Sequence, residues 1–151
     1  MSGFNRAFAY VVGVEGGFSE DPRDGGNWTG GAQGVGTLKG TKYGISAKVY
    51  PQLDIRNLTL ADAKAIYQRD YWEPLGCEAR PWHEALCLFD CGVSQGVQRA
   101  LSLLAVIPPG DFVASYQAER AMKYSIAPNW TIYGRGWMRR LLRTAIEASK
   151  E

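Results

Sequence analysis

Between Gly16 and Gly40 the chain carries glycines at positions 16, 17, 25, 26, 30, 31, 34, 36 and 40. A glycine in a helix interior costs about 1 kcal/mol relative to alanine, so no helix survives that density. The stretch must be short extended pieces joined by turns. It is not a disordered linker, because Phe18, Trp28, Val35, Leu38, Tyr43 and Ile45 run through it and just beyond, and chains that stay unfolded are poor in such residues. An irregular or β-rich lobe near the N-terminus is therefore expected, with helices before and after it.

The flanking segments read as helical. Phe4, Ala7, Phe8, Val11, Val12 and Val14 recur on one face and predict a helix over 2–14, with Ser2 as its N-cap. A short helical turn is expected from Ser46 to Pro51. Thr59-Leu60-Ala61-Asp62 is a capping box opening a helix to about Trp72, which Pro74 and Gly76 stop. Arg80-Pro81 precedes one long helix, predicted over 82–105. Leu86, Phe89, Val93, Val97, Leu101 and Leu104 mark the apolar face of this expected central, buried helix. Asp111 caps the next, over 112–124. A break is expected over 128–136, then a last helix over 136–149 with Trp137, Leu141, Leu142 and Ile146 inward and its arginines outward. The predicted class is mainly α, an α+β arrangement with a helical bundle around the central helix. The 151 residues, 46% hydrophobic and 21% charged, fit one domain over 1–151 with a single core.

A net charge of +2 is too small to indicate nucleic acid. Its distribution is uneven: residues 120–151 hold seven basic side chains and two acidic ones, a net +5. Such a face suits a polyanion, the anionic bacterial wall included, or is a solvated helix surface. Three cysteines, Cys77, Cys87 and Cys91, cannot all pair, and one histidine, His83, offers no metal set. They read as small apolar residues of a protein made in a reducing compartment. The first eighteen residues lack a basic leader and a long apolar run, so neither a signal peptide nor a membrane span is expected.

Two carboxylates stand out in the glycine-rich stretch. Glu15, at the expected end of the first helix, is followed by Gly16-Gly17; Asp24 is followed by Gly25-Gly26. Cleaving a glycosidic bond needs one carboxyl that keeps its proton for the leaving oxygen and one that is ionised. Apolar neighbours such as Val14 or Phe18 would keep the proton on Glu15, since burial disfavours the charged form. Asp24, on a polar turn, would hold a water or the developing cation. Thr41 is the candidate hydroxyl to orient that water, with Thr29 its competitor. Glu20 and Asp21 are rival second carboxylates without the paired glycines. Trp28, Tyr43, Tyr71 and Trp72 can stack on sugar rings or fill the core. Asp90 fits a buried partner for an arginine or an anchor below a cleft.

Taken in order, these motifs resemble a known family. Glu15-Gly16-Gly17-Phe18, Asp24-Gly25-Gly26 and Thr41-Lys42-Tyr43-Gly44-Ile45-Ser46 are similar to glycoside hydrolase family 108, the N-acetylmuramidases typical of phage endolysins. Tyr67-Gln68-Arg69-Asp70-Tyr71-Trp72 resembles its aromatic helix end, and the segment from Leu88 to Gly96 its central Phe-Asp-x-x-Val-Asn-x-Gly. Gly134-Arg135-Gly136-Trp137-Met138-Arg139-Arg140 resembles the Gly-Trp-x-x-Arg segment of the family's peptidoglycan-binding part. The resemblance implies a lysozyme-like domain, with the catalytic motifs and small lobe in 1–75 and a wall-binding helical half in 76–151. It implies hydrolysis of the β-1,4 bond between N-acetylmuramic acid and N-acetylglucosamine. Glu15, Asp24 and Thr41 would be catalytic, with substrate contacts at Trp28, Tyr43, Asp90, Ser94 and Gln95. Ser94 stands where the family carries Asn, and about a dozen extra residues, near 29–40, separate Asp24 from Thr41. The partner implied is bacterial peptidoglycan, met by a monomer that needs no metal or cofactor, inserts in no membrane and binds no nucleic acid. It would leave the host cytoplasm through a holin. The alternatives are a lytic transglycosylase using Glu15 alone and a non-catalytic wall-binding module.

Overall fold

A computed structural model describes residues 3–150. The fold is mainly helical with one small β element in the N-terminal half. The chain forms two compact units: one comprises Met1–Ala7 with Arg69–Glu151, the other Phe8–Gln68.

Helix α1 covers Gly3–Val11; the Ser2 cap lies outside the described residues. The helix stops three residues earlier than expected. The amides of Val12 and Gly13 both bond the Phe8 carbonyl, and Gly13, at φ +86°, turns the chain off the helix axis. In the second unit, Phe8 packs edge-on against Tyr67 at 5.5 Å. Strands β1 (Thr41–Lys42) and β2 (Ile45–Ser46) pair antiparallel around Tyr43-Gly44. Both turn residues have positive φ, +51° and +74°, as a two-residue hairpin of this twist requires. A helical turn follows, closed by Tyr50 N–H to the Ser46 carbonyl.

Helix α2 covers Leu60–Tyr67 and continues as a π-type turn over Gln68–Trp72. Its start is the predicted capping box. The Asp62 amide donates to the Thr59 hydroxyl, and the Thr59 amide and hydroxyl donate to the Asp62 carboxylate. Those bonds hold the Asp62 carboxyl below its ordinary range.

The first unit is built around helix α3, Trp82–Gln95, whose residues 85–92 are all buried. The expected single helix over 82–105 is two. Gly96 has φ +92°, ψ 150°, outside the helical region, so the chain bends there and resumes as α4, Val97–Leu104. Helix α5, Phe112–Ser125, starts where Asp111 accepts the Ala114 amide at 3.0 Å. Phe4, Trp72 and Phe89 meet edge to face, with ring centres 5.5–6.1 Å apart. All three cysteines are buried and unpaired, and burial pushes the Cys77 and Cys87 thiols up to about 12.

The last helix, α6, covers Trp130–Ala148, so the break expected over 128–136 is mostly helix. Gly134 stays helical because the Trp130 ring fills the place of its side chain; a Cβ there would lie 2.6 Å from Trp130 Cε3. Leu141, Thr144 and Ala148 face inward, but Leu142 and Ile146 face solvent, contrary to the expected pattern. Trp137 is half-buried and stacks on Tyr124 at 4.9 Å.

Candidate active site

Glu15 lies beyond α1, in an irregular loop rather than at the helix end. It is exposed, and Val14 beside it is 53% exposed, so among the described residues the apolar surround expected for the acid is not formed. The loop is nevertheless pinned. The Tyr43 ring lies against Gly16 so closely that a Cβ there would be 2.1 Å from Tyr43 Cε1. Ser19 and Thr41 exchange both backbone hydrogen bonds, at 2.9 and 2.8 Å. Tyr43 holds a backbone conformation rare for a bulky residue, and the Tyr67 hydroxyl donates to its carbonyl at 3.0 Å.

The Asp24 turn is tied to the same hairpin. Asp24 Oδ1 accepts the Gly26 amide at 2.8 Å, capping a single turn over Gly25–Asn27. Asn27 is fully buried and connects the pieces. Its side-chain amide donates to the Asp21 carbonyl, its own carbonyl accepts from Lys39 and Gly40, and its Oδ1 accepts the Thr41 hydroxyl at 2.7 Å. Asp24 and Thr41 thus stand on one hydrogen-bonded scaffold within the second unit, and the Glu15 loop is held against the same hairpin by the Tyr43 ring at Gly16 and the Ser19–Thr41 pair. With its hydrogen committed to Asn27, the Thr41 oxygen keeps lone pairs that can accept from a water. Nothing in the sequence marked Asn27. Its signal is its place one residue beyond the paired glycines, which is legible only once the turn closes.

The competitors have other engagements. Thr29 Oγ1 accepts the Thr37 amide at 2.9 Å, and the Thr29 amide bonds the Thr37 carbonyl. With the bridge between Trp28 and Leu38, these bonds close residues 29–37 into a separate excursion. Glu20 pairs with Arg56. Asp21 takes the Arg23 guanidinium at 2.7 Å, and that bond, then the Arg23 amide, hold its carboxyl below the ordinary range. Among the described residues, the Glu15 carboxylate makes no hydrogen bond or ion pair. Trp28 is half-buried, its indole N–H on the Pro22 carbonyl at 2.9 Å.

Asp90, Ser94 and Gln95 lie in the first unit, on α3. Asp90 is 1% exposed. Its Oδ2 accepts from Arg120 at 2.8 Å and its Oδ1 from Arg140 at 2.7 Å. Arg120, itself 0% exposed, also donates to Gln117 Oε1 and Ser94 Oγ. The Ser94 hydroxyl bonds the Asp90 carbonyl, and the Gln95 amide donates to the Tyr124 hydroxyl. This network also reduces the expected basic face, because Arg120 and Arg140 neutralise Asp90 and Lys150 pairs with Glu147.

The contact at Gly16 makes a sharp expectation. Gly16→Ala must displace the Tyr43 ring or the Glu15 loop, and overpacking of this kind costs about 1–3 kcal/mol. Gly17→Ala meets no atom within 4 Å and should leave stability near wild type. Comparing the two variants by thermal unfolding checks this; equal behaviour would remove the Tyr43 contact as the reason for the first glycine.

Residues 8–96 match the family described as Glycosyl hydrolase 108. The solved structure of SagA from Brucella abortus is similar over 98% of this chain and 96% of that one, with a TM-score of 0.75 and 20% identity. At that identity the likeness bears on fold alone. No match is found among curated proteins.

Proposed function

Because the chain belongs to the glycosyl hydrolase 108 family, we propose that it cleaves the glycan strands of bacterial peptidoglycan, at the β-1,4 bond between N-acetylmuramic acid and N-acetylglucosamine. Glu15 donates the proton to the leaving oxygen. Asp24 and Thr41 hold and activate the water that attacks the sugar carbon. The observation that carries this reading is the scaffold around Asn27, which ties the Thr41 hydroxyl to the Asp24 turn while the Glu15 carboxylate has no partner among the described residues. The exposure of Glu15 leaves its desolvation to the bound glycan, whose rings would cover the loop. The excursion over 29–37 supports Thr41 over Thr29 as the third residue, since the Thr29 oxygen serves the excursion's own backbone. The setting that fits is phage lysis, with the enzyme reaching the wall after a holin opens the membrane. No helix among the described residues is long and apolar enough to cross a membrane by itself.

One observation favours a second reading. Asp24 already has a structural task as the cap of its turn. A lytic transglycosylase would need only Glu15, with the sugar's own hydroxyl closing onto the anomeric carbon. Mass spectrometry of fragments from purified sacculi separates the two. Hydrolysis adds one water and leaves a reducing end, the expected product, whereas transglycosylation leaves an anhydro end. Release of no fragments, with retention on the sacculi, would favour a wall-binding module instead.

A further inference from the structure

The outward face of α6 carries a pattern that the proposed chemistry does not use. At 3.6 residues per turn, Ile132, Arg135, Arg139, Leu142, Arg143 and Ile146 fall within an arc of roughly 100°. Ile132, Leu142 and Ile146 are each at least 60% exposed, and all three arginines are exposed. Among the described residues none of these guanidinium groups has an ion-pair partner. The one acid of the helix, Glu147, lies beside the arc and is taken by Arg6 and Lys150.

We propose that this face docks on an anionic phospholipid bilayer. Charge and apolarity have to be met together. A second copy in symmetric pairing would set three arginines against three arginines. A wall polymer or a nucleic acid would engage the arginines and leave Ile132, Leu142 and Ile146 in water. A bilayer surface offers both: phosphate oxygens that match the planar guanidinium fork, and an interfacial layer that takes apolar side chains. The surface is independent of the glycan chemistry, so neither conclusion stands or falls with the other.

Flotation of the full chain with vesicles tests this. Equal parts phosphatidylglycerol and phosphatidylcholine should bind the protein, pure phosphatidylcholine should bind it roughly 100-fold more weakly, and added salt should release it, given about 1 kcal/mol for each arginine at the surface. The triple variant Arg135→Gln/Arg139→Gln/Arg143→Gln should fall to the phosphatidylcholine level. The double variant Ile132→Ser/Ile146→Ser should lose roughly 10-fold. All six side chains are exposed, so unfolding midpoints should match wild type, and circular dichroism verifies it. Equal binding to both vesicle types, no binding to either, or an unchanged serine double variant would overturn the assignment; the last outcome would mark the face as a purely ionic contact for a polymer.

Discussion

Glu15→Gln is expected to lower the release of muropeptides from purified sacculi by about two to four orders of magnitude, the usual weight of a positioned acid in proton transfer. The substitution keeps size and polarity and removes only the transferable proton. Because Glu15 is exposed and its side chain has no partner among the described residues, the fold should be unaffected, so a loss of activity cannot be ascribed to unfolding. Asp24→Asn and Thr41→Val refine the result. Hydrolysis predicts large losses in both, through the attacking water. Asp24→Asn keeps an oxygen for the Gly26 amide, so its turn survives. Full activity in Asp24→Asn together with inactive Glu15→Gln would move the chemistry to the single-acid reading. Retained activity in Glu15→Gln would falsify the assignment of the acid altogether.

The second large effect concerns stability. Asp90→Ala should destabilise the protein by about 3–5 kcal/mol, because it leaves a buried arginine without its counter-charge. Arg120 is 0% exposed and its Nε already lacks a hydrogen-bond partner, so little inside the unit can compensate. Replacing both members with apolar residues, Asp90→Leu with Arg120→Met, should recover much of the loss, since desolvating the pair offsets most of its attraction. Urea midpoints of the three proteins check this. The same experiment addresses the earlier expectation that Asp90 touches substrate. A variant that stays within about 1 kcal/mol of wild type yet loses affinity for sacculi would return Asp90 to the binding surface; a large stability loss makes it the link between α3, α5 and α6 that its bonds describe.

Much of the local structure was legible from neighbouring residues. The capping box at Thr59 and Asp62, the Asp111 cap and the absence of α-helix from Gly16 to Gly40 each depend on a few adjacent positions. The departures have a common source. Apolar spacing continues on both sides of Gly96, so the pattern alone predicts one helix over 82–105, whereas the backbone bends there. Gly134 and Gly136 count as helix breakers locally, whereas Gly134 admits the Trp130 ring inside a helix. Period alone points Leu142 and Ile146 inward, but burial depends on what another helix brings against that face.

The candidate site shows the same division. Composition and order alone determined that a glycine-rich, aromatic-bearing stretch without α-helix follows the first helix, and that Glu15 and Asp24 lie in it beside paired glycines. Which of the paired glycines is needed for contact, and which acids are engaged elsewhere, was decided by tertiary structure. Tyr43 reaches Gly16, and Asn27 joins Asp24's turn to Thr41, across fourteen residues in the latter case; Arg120 finds Asp90 thirty residues away. Backbone preferences are set by sterics within a turn of chain, so a sequence displays them directly. Partners and solvent exposure are set by which distant segments converge, and only the folded chain brings those together.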